Sequence, residues 1–122
     1  MVELKIQHDL KDFNLNQMIN SARTNKYGSA SKKKKLMGVL YHKIKDQFNG
    51  RLEGKYHVYV NWLVPTLNRD LDNLMLKSLL DCMQENDMLK NDNLNHILKI
   101  THSYTKVKKD QQGLEITFRE IE

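Results

Sequence analysis

At 122 residues the chain has material for one domain with one modest core, and we read 1–122 as a single unit. Its 39% hydrophobic and 29% charged residues exclude an unfolded polar chain, and no apolar run has the length of a bilayer-crossing helix. The net charge of +5 is lopsided: residues 1–60 hold twelve Lys/Arg against five Asp/Glu, and residues 61–122 hold eight against ten.

Val2, Leu4 and Ile6 alternate with polar residues, which predicts a short strand. Residues 13–31 are rich in Asn, Ser and Thr without a sustained period, and read as a long polar loop. From Lys32 the pattern turns helical, with Leu36, Leu40, Ile44 and Phe48 every four residues, Val39 beside them, and Asn49-Gly50 as a stop. Tyr56 to Val64 is β-branched and aromatic, predicting a strand with Tyr56, Val58 and Val60 on one face and His57 and Tyr59 on the other. After Asp70, the residues Leu71, Leu74, Met75, Ser78, Leu79, Cys82 and Met83 follow helical spacing, with Glu85-Asn86-Asp87 as the exit. Two more strands follow, near His96–Tyr104 and Leu114–Ile121, joined by the polar turn KKDQQG. The order β-loop-α-β-α-β-β predicts an α/β (α+β) fold, a small mixed sheet with two main helices packed on it.

The most informative residues are Asn68-Arg69-Asp70-Leu71-Asp72-Asn73-Leu74, between a strand and a buried helix. Two carboxylates one residue apart on extended backbone point the same way, and their repulsion is relieved by a cation or a proton. Hard ions such as Mg²⁺ take this kind of donor, together with water and phosphate oxygens. A competing reading makes Asp70 or Asp72 the N-cap of the helix that follows. An EF-hand loop is excluded, because Leu74 takes its fifth position and Met75 the sixth, where glycine is needed. A third carboxylate could come from Asp92 or from Asp87, and for either the alternative is a plain turn residue.

Taken together, these segments resemble the RusA family of crossover-junction endonucleases. The matching core is Arg69-Asp70-Leu71-Asp72-Asn73-Leu74, then a helix bearing Lys77 and Leu80-Asp81, then Asp92 in Leu89-Lys90-Asn91-Asp92. An Asn-containing loop (Leu15-Asn16), a basic first helix and the ending Gly113-Leu114-Glu115-Ile116 followed by Glu120 fit in the same order. The resemblance implies an Mg²⁺-dependent homodimer, with Mn²⁺ as a substitute, that binds four-way DNA junctions and cuts two strands symmetrically. It assigns metal binding and catalysis to Asp70, Asp72 and Asp92, and a catalytic lysine to Lys77. The sequence departs from the family at two points: Lys77 is reached by allowing one extra residue after Leu74, and Asn91 replaces an acid before Asp92.

The basic residues fit the same partner. Lys32, Lys33, Lys34 and Lys35, with Arg23, Lys26, Lys43 and Lys45, could grip DNA phosphates, and Arg69 could do so beside the site; a solubilising face is the alternative. The five histidines show no zinc spacing, and Trp62, Tyr56 and Tyr59 read as sheet-packing residues. A lone cysteine, Cys82, excludes an internal disulfide and reads as a reduced core thiol. With no signal-peptide core in MVELKIQHDLKDF, this predicts a cytoplasmic protein without a membrane partner. A junction-binding protein without catalysis is the alternative function. Clustered acids argue against it, since a pure phosphate binder gains nothing from anions in its cleft.

Overall fold

The computed structural model describes residues 1–13, 26–67, 74, 76–90 and 96–121. Strands β1 (Val2–Gln7), β2 (Tyr56–Val64), β3 (Ile97–Lys106) and β4 (Gly113–Glu120) form one sheet in the order β1-β4-β2-β3. β4 runs antiparallel to both β1 and β2, while β3 runs parallel to β2, so the sheet is mixed. Helices α1 (Lys26–Lys45) and α2 (Lys77–Glu85) complete the predicted α+β arrangement.

Period-two alternation sets the layers. Leu4 and Ile6 of β1, Val58, Val60 and Trp62 of β2, and Leu114, Ile116 and Phe118 of β4 point into one core. Met37, Leu40 and Ile44 of α1, and Leu79, Cys82 and Met83 of α2, complete it. Trp62 is fully buried, edge-on to Phe13, and its indole N–H donates to His102 Nδ1 at 3.0 Å. Cys82 is the predicted core thiol: its Sγ donates to the Met37 carbonyl at 3.2 Å, and burial pushes its pKa up to about 11.

Four sequence expectations need correction. Helix α1 starts at Lys26, not Lys32, so residues 26–31 are helix rather than loop. Adding a turn to an existing helix is cheap compared with nucleating one, and it needs no apolar stripe. Val39 is 39% exposed rather than part of the buried face. At 3.6 residues per turn it lies about 130° from the centre of the Met37-Leu40-Ile44 stripe. Phe48 lies past the helix, where its N–H still donates to the Ile44 carbonyl at 2.8 Å.

The fourth correction concerns α2, which begins at Lys77 rather than just after Asp70; its N-cap is Leu76, and no side chain caps it. Leu74 sits in a β-bridge, and it and Leu76 are buried from outside the helix. The apolar spacing marks burial correctly but not backbone conformation. At the other end, Asp87 adopts a left-handed conformation (φ 60). The Met88 N–H donates to the Met83 carbonyl at 2.8 Å and the Asp87 N–H to that of Gln84 at 3.2 Å, a Schellman closure. Glycine suits that position better, so Asp87→Gly is expected to raise stability by about 0.5 kcal/mol, read as a higher urea midpoint. Asp87 Oδ1 also lies 3.3 Å from the Arg51 guanidinium, and an unchanged or lower midpoint would show that this ion pair outweighs the backbone strain.

Candidate functional site

Arg23, Arg69, Asp70, Asp72 and Asp92 lie outside the described residues; in the chain, β2, α2 and β3 flank the acidic ones. The motif leaves the C-terminal end of β2 after Leu67 and reaches α2 at Lys77. Because Leu76 is the N-cap, neither Asp70 nor Asp72 occupies that position, and the capping alternative for them falls away. Asp92 follows Lys90, whose N–H donates to the Leu52 carbonyl at 3.0 Å, and precedes β3.

The parallel register pairs Tyr56 with Ile97 and Val64 with Lys106, which puts the exit of β2 and the entry of β3 at opposite ends of the strand pair. Nine residues of β2 span roughly 30 Å. In the chain, Asp70 and Asp72 follow the exit of β2, and Asp92 precedes the entry of β3.

Lys77 is the first residue of α2 and is solvent-exposed, with Nζ 3.9 Å from Asp81 Oδ2. No acidic residue stands in the first turn. A cation there opposes the positive end of the helix dipole, so local stability gives no reason for the lysine. Lys77→Ala is expected to change folding free energy by less than about 0.5 kcal/mol, because an exposed ion pair contributes little. A large loss of stability in denaturant melts would mark Lys77 as structural instead.

Asp87, the competing third carboxylate, is a turn residue: its Oδ1 lies 3.3 Å from Arg51, which also holds Glu53 at 3.3 Å. Among the described residues no group of three His, Cys, Asp or Glu is placed to hold a metal. Each histidine has a protein partner: Lys43 for His8, Tyr41 for His42, Thr101 for His57, Gly54 for His96 and Trp62 for His102.

Of the basic residues, Lys26, Lys32 and Lys33 lie on α1, and Lys34 and Lys35 are exposed on it. Lys43 is committed to the fold, donating to the Gln7 carbonyl with Nζ 3.0 Å from His8 Nδ1. Lys45 lies 5.5 Å from the centre of the Tyr41 ring. Trp62 and Tyr56 are buried packing residues as expected, but Tyr59 faces the other side of the sheet, its ring stacked 3.9 Å from that of His57.

Desolvation beside Trp62 holds His102 below the usual imidazole range, and desolvation followed by the charges of Lys99 and Arg119 does the same to His57. An imidazole depressed in the folded state takes up protons more readily when unfolded. Its contribution is complete above the unfolded value of 6.5 and is lost as the pH falls below it. Urea melts followed by the single tryptophan should therefore show a lower midpoint near about pH 5 than near about pH 7.5. His102→Gln, which keeps an acceptor for Trp62, should narrow the gap; an equal gap in the variant would clear His102.

The described fold is a four-stranded mixed sheet with helices on one face, and the acidic motif lies in the chain between β2 and α2. No protein-family model matches the chain. Over 78 residues it is 36% identical to the crossover junction endodeoxyribonuclease RusA of Aquifex aeolicus (strain VF5), a stretch covering 62% of this chain and 59% of that protein. The match thus spans about three-fifths of the length of that curated relative, and it agrees with the resemblance read from the motif.

Proposed function

We propose that the chain is an Mg²⁺-dependent endonuclease that resolves four-way DNA junctions by paired symmetric cuts in recombination and repair. The observation that carries this reading is the 36% identity over 78 residues with a crossover junction endodeoxyribonuclease. Two features support it: the aspartates of the motif are not used to cap α2, and Lys77 stands at the helix start without an acid in that turn. Three carboxylates are the donor chemistry that a hard divalent ion requires, with Mn²⁺ as a substitute.

In this reading Asp70, Asp72 and Asp92 would hold the ion, which would supply Lewis-acid activation of water and of the scissile phosphate. Lys77 offsets negative charge that develops on the phosphoryl oxygens, and such preorganised stabilisation is worth roughly 3–4 kcal/mol. Arg69, with Arg23, Lys26 and Lys32 to Lys35, holds the backbone of the junction arms and positions the cut strand. Two cuts of opposite sense need two sites related by a two-fold axis, so the working form is a homodimer. The place of action is the cytoplasm, where the DNA lies; among the described residues no helix is long and apolar enough to cross a membrane.

The test is a synthetic four-way junction labelled on each strand in turn, incubated with the protein and Mg²⁺, Mn²⁺ or EDTA. Symmetric cuts in one opposed pair of strands, absent with EDTA, are expected. Tight binding without cuts under every divalent condition would replace the nuclease by a junction-binding protein.

A further inference from the structure

The face of the sheet turned away from the helices is largely uncovered. Glu3, Lys5, Arg119, Lys99 and Thr101 are exposed on it, and His57, Tyr59 and Asn61 are half-buried. Strand register arranges these residues in rows. His57 pairs with Lys99 on its β3 side and with Arg119 on its β4 side, so three basic side chains stand abreast on three neighbouring strands. With strands about 4.8 Å apart, Lys99 and Arg119 are roughly 10 Å from each other across His57.

Lys99 and Arg119 flank His57 from the two neighbouring strands, and neither makes an ion pair among the described residues. The acids of this face stand in the next rows: Glu3 is in line with Tyr59, and Glu115, in line with Asn61, accepts from its amide at 3.3 Å. The imidazole is held in place from two sides. Its ring stacks on Tyr59, and its Nε2 lies 2.7 Å from Thr101 Oγ1. An ordered ring between two cations that have no acidic partner among the described residues is an arrangement that an anion with several oxygens completes.

We propose that the Lys99-His57-Arg119 row is a backbone site for nucleic acid, seating a phosphodiester of a DNA arm on the open sheet face. This rests on the nucleic-acid reading above and adds a second surface to it, remote from the basic helix α1. The ligand is a polyanionic strand rather than a small phosphate, because the row continues onto exposed edge strand β3 and is not enclosed.

Fluorescence anisotropy with a labelled uncut junction tests it, in Ca²⁺ to prevent cleavage, across a salt series. Lys99→Ala with Arg119→Ala should weaken binding at least about tenfold and reduce the salt slope by roughly 0.9 for each phosphate no longer neutralised. Lys108→Ala with Lys109→Ala, an equal change of charge at the β3–β4 turn, should leave the slope nearly intact. Equal weakening by both pairs would reduce the effect to net charge and overturn the site, as would unchanged binding in the first pair.

On the wild type, the His57 imidazole resonance should titrate at higher pH when junction is added and stay put with millimolar inorganic phosphate. No movement with DNA, or the same movement with phosphate, overturns the proposal without any variant. If the wild type binds no DNA at all, the nucleic-acid reading itself fails, and the surface proposal with it. Binding by the wild type with an indifferent Lys99/Arg119 pair condemns this surface alone.

Discussion

Replacing Asp70 with asparagine should leave junction binding intact while slowing strand cleavage by about 10²-fold or more. Asparagine keeps the size and one carbonyl oxygen but removes the charge that a divalent cation needs from its donor. Losing one preorganised electrostatic group in a site of this kind costs on the order of 10²–10³ in rate. Binding should hold or improve slightly, since the change removes an anion from beside the DNA phosphates. Stability should hold too: Asp70 is not the cap of α2, so no helix end loses a partner. Asp87→Asn is the matched control, because asparagine tolerates the left-handed turn that Asp87 occupies. If Asp70→Asn cuts at the wild-type rate, or Asp87→Asn loses cleavage to the same extent, the assignment of the acidic motif is wrong.

The second large effect is on folding. Gly113 opens β4, paired with Gln7 on one side and Leu63 on the other. A Cβ there would collide with the backbone carbonyl of Ile6 and come within 2.9 Å of the Gln7 Cα. Both neighbours are backbone inside the β1–β4 ladder, so neither can move without giving up strand hydrogen bonds. Gly113→Ala is expected to cost about 3 kcal/mol or more, as overpacking against an unyielding neighbour does. Set against a total stability of roughly 5–15 kcal/mol, that is a large share, and the melting temperature should fall by about 10 °C. Gly38, which has open space around its Cβ position, supplies the contrast: Gly38→Ala in the middle of α1 should be neutral or stabilising. A Gly113→Ala variant that melts with the wild type would mean that the β1–β4 edge can shift at little cost.

Sequence alone carries the element order, the whole of β2 and the buried identity of Leu79, Cys82 and Met83. These follow from local rules: alternation of side chains along a strand, and an apolar stripe on a helix. It also carries the Asp70-Leu71-Asp72 motif, whose meaning comes from residue chemistry. Where the sequence misleads, the missing information is not local. The first six residues of α1 have no apolar stripe, and they are helical because the chain beyond them already is. Leu74 fits the helical spacing of α2 because burial repeats at that interval, although the backbone that buries it is not helical.

The tertiary structure decides which residues become neighbours. Tyr59 reads as a packing residue from its strand, and only the placement of both helices on the opposite face leaves it and His57 uncovered. Lys99 and Arg119 lie 42 and 62 positions beyond His57 along the chain, and nothing in their local sequence relates the three. Hydrogen-bond register across three strands sets them side by side, because pairing is specified by the burial of whole strand faces and not by the residues that end up exposed.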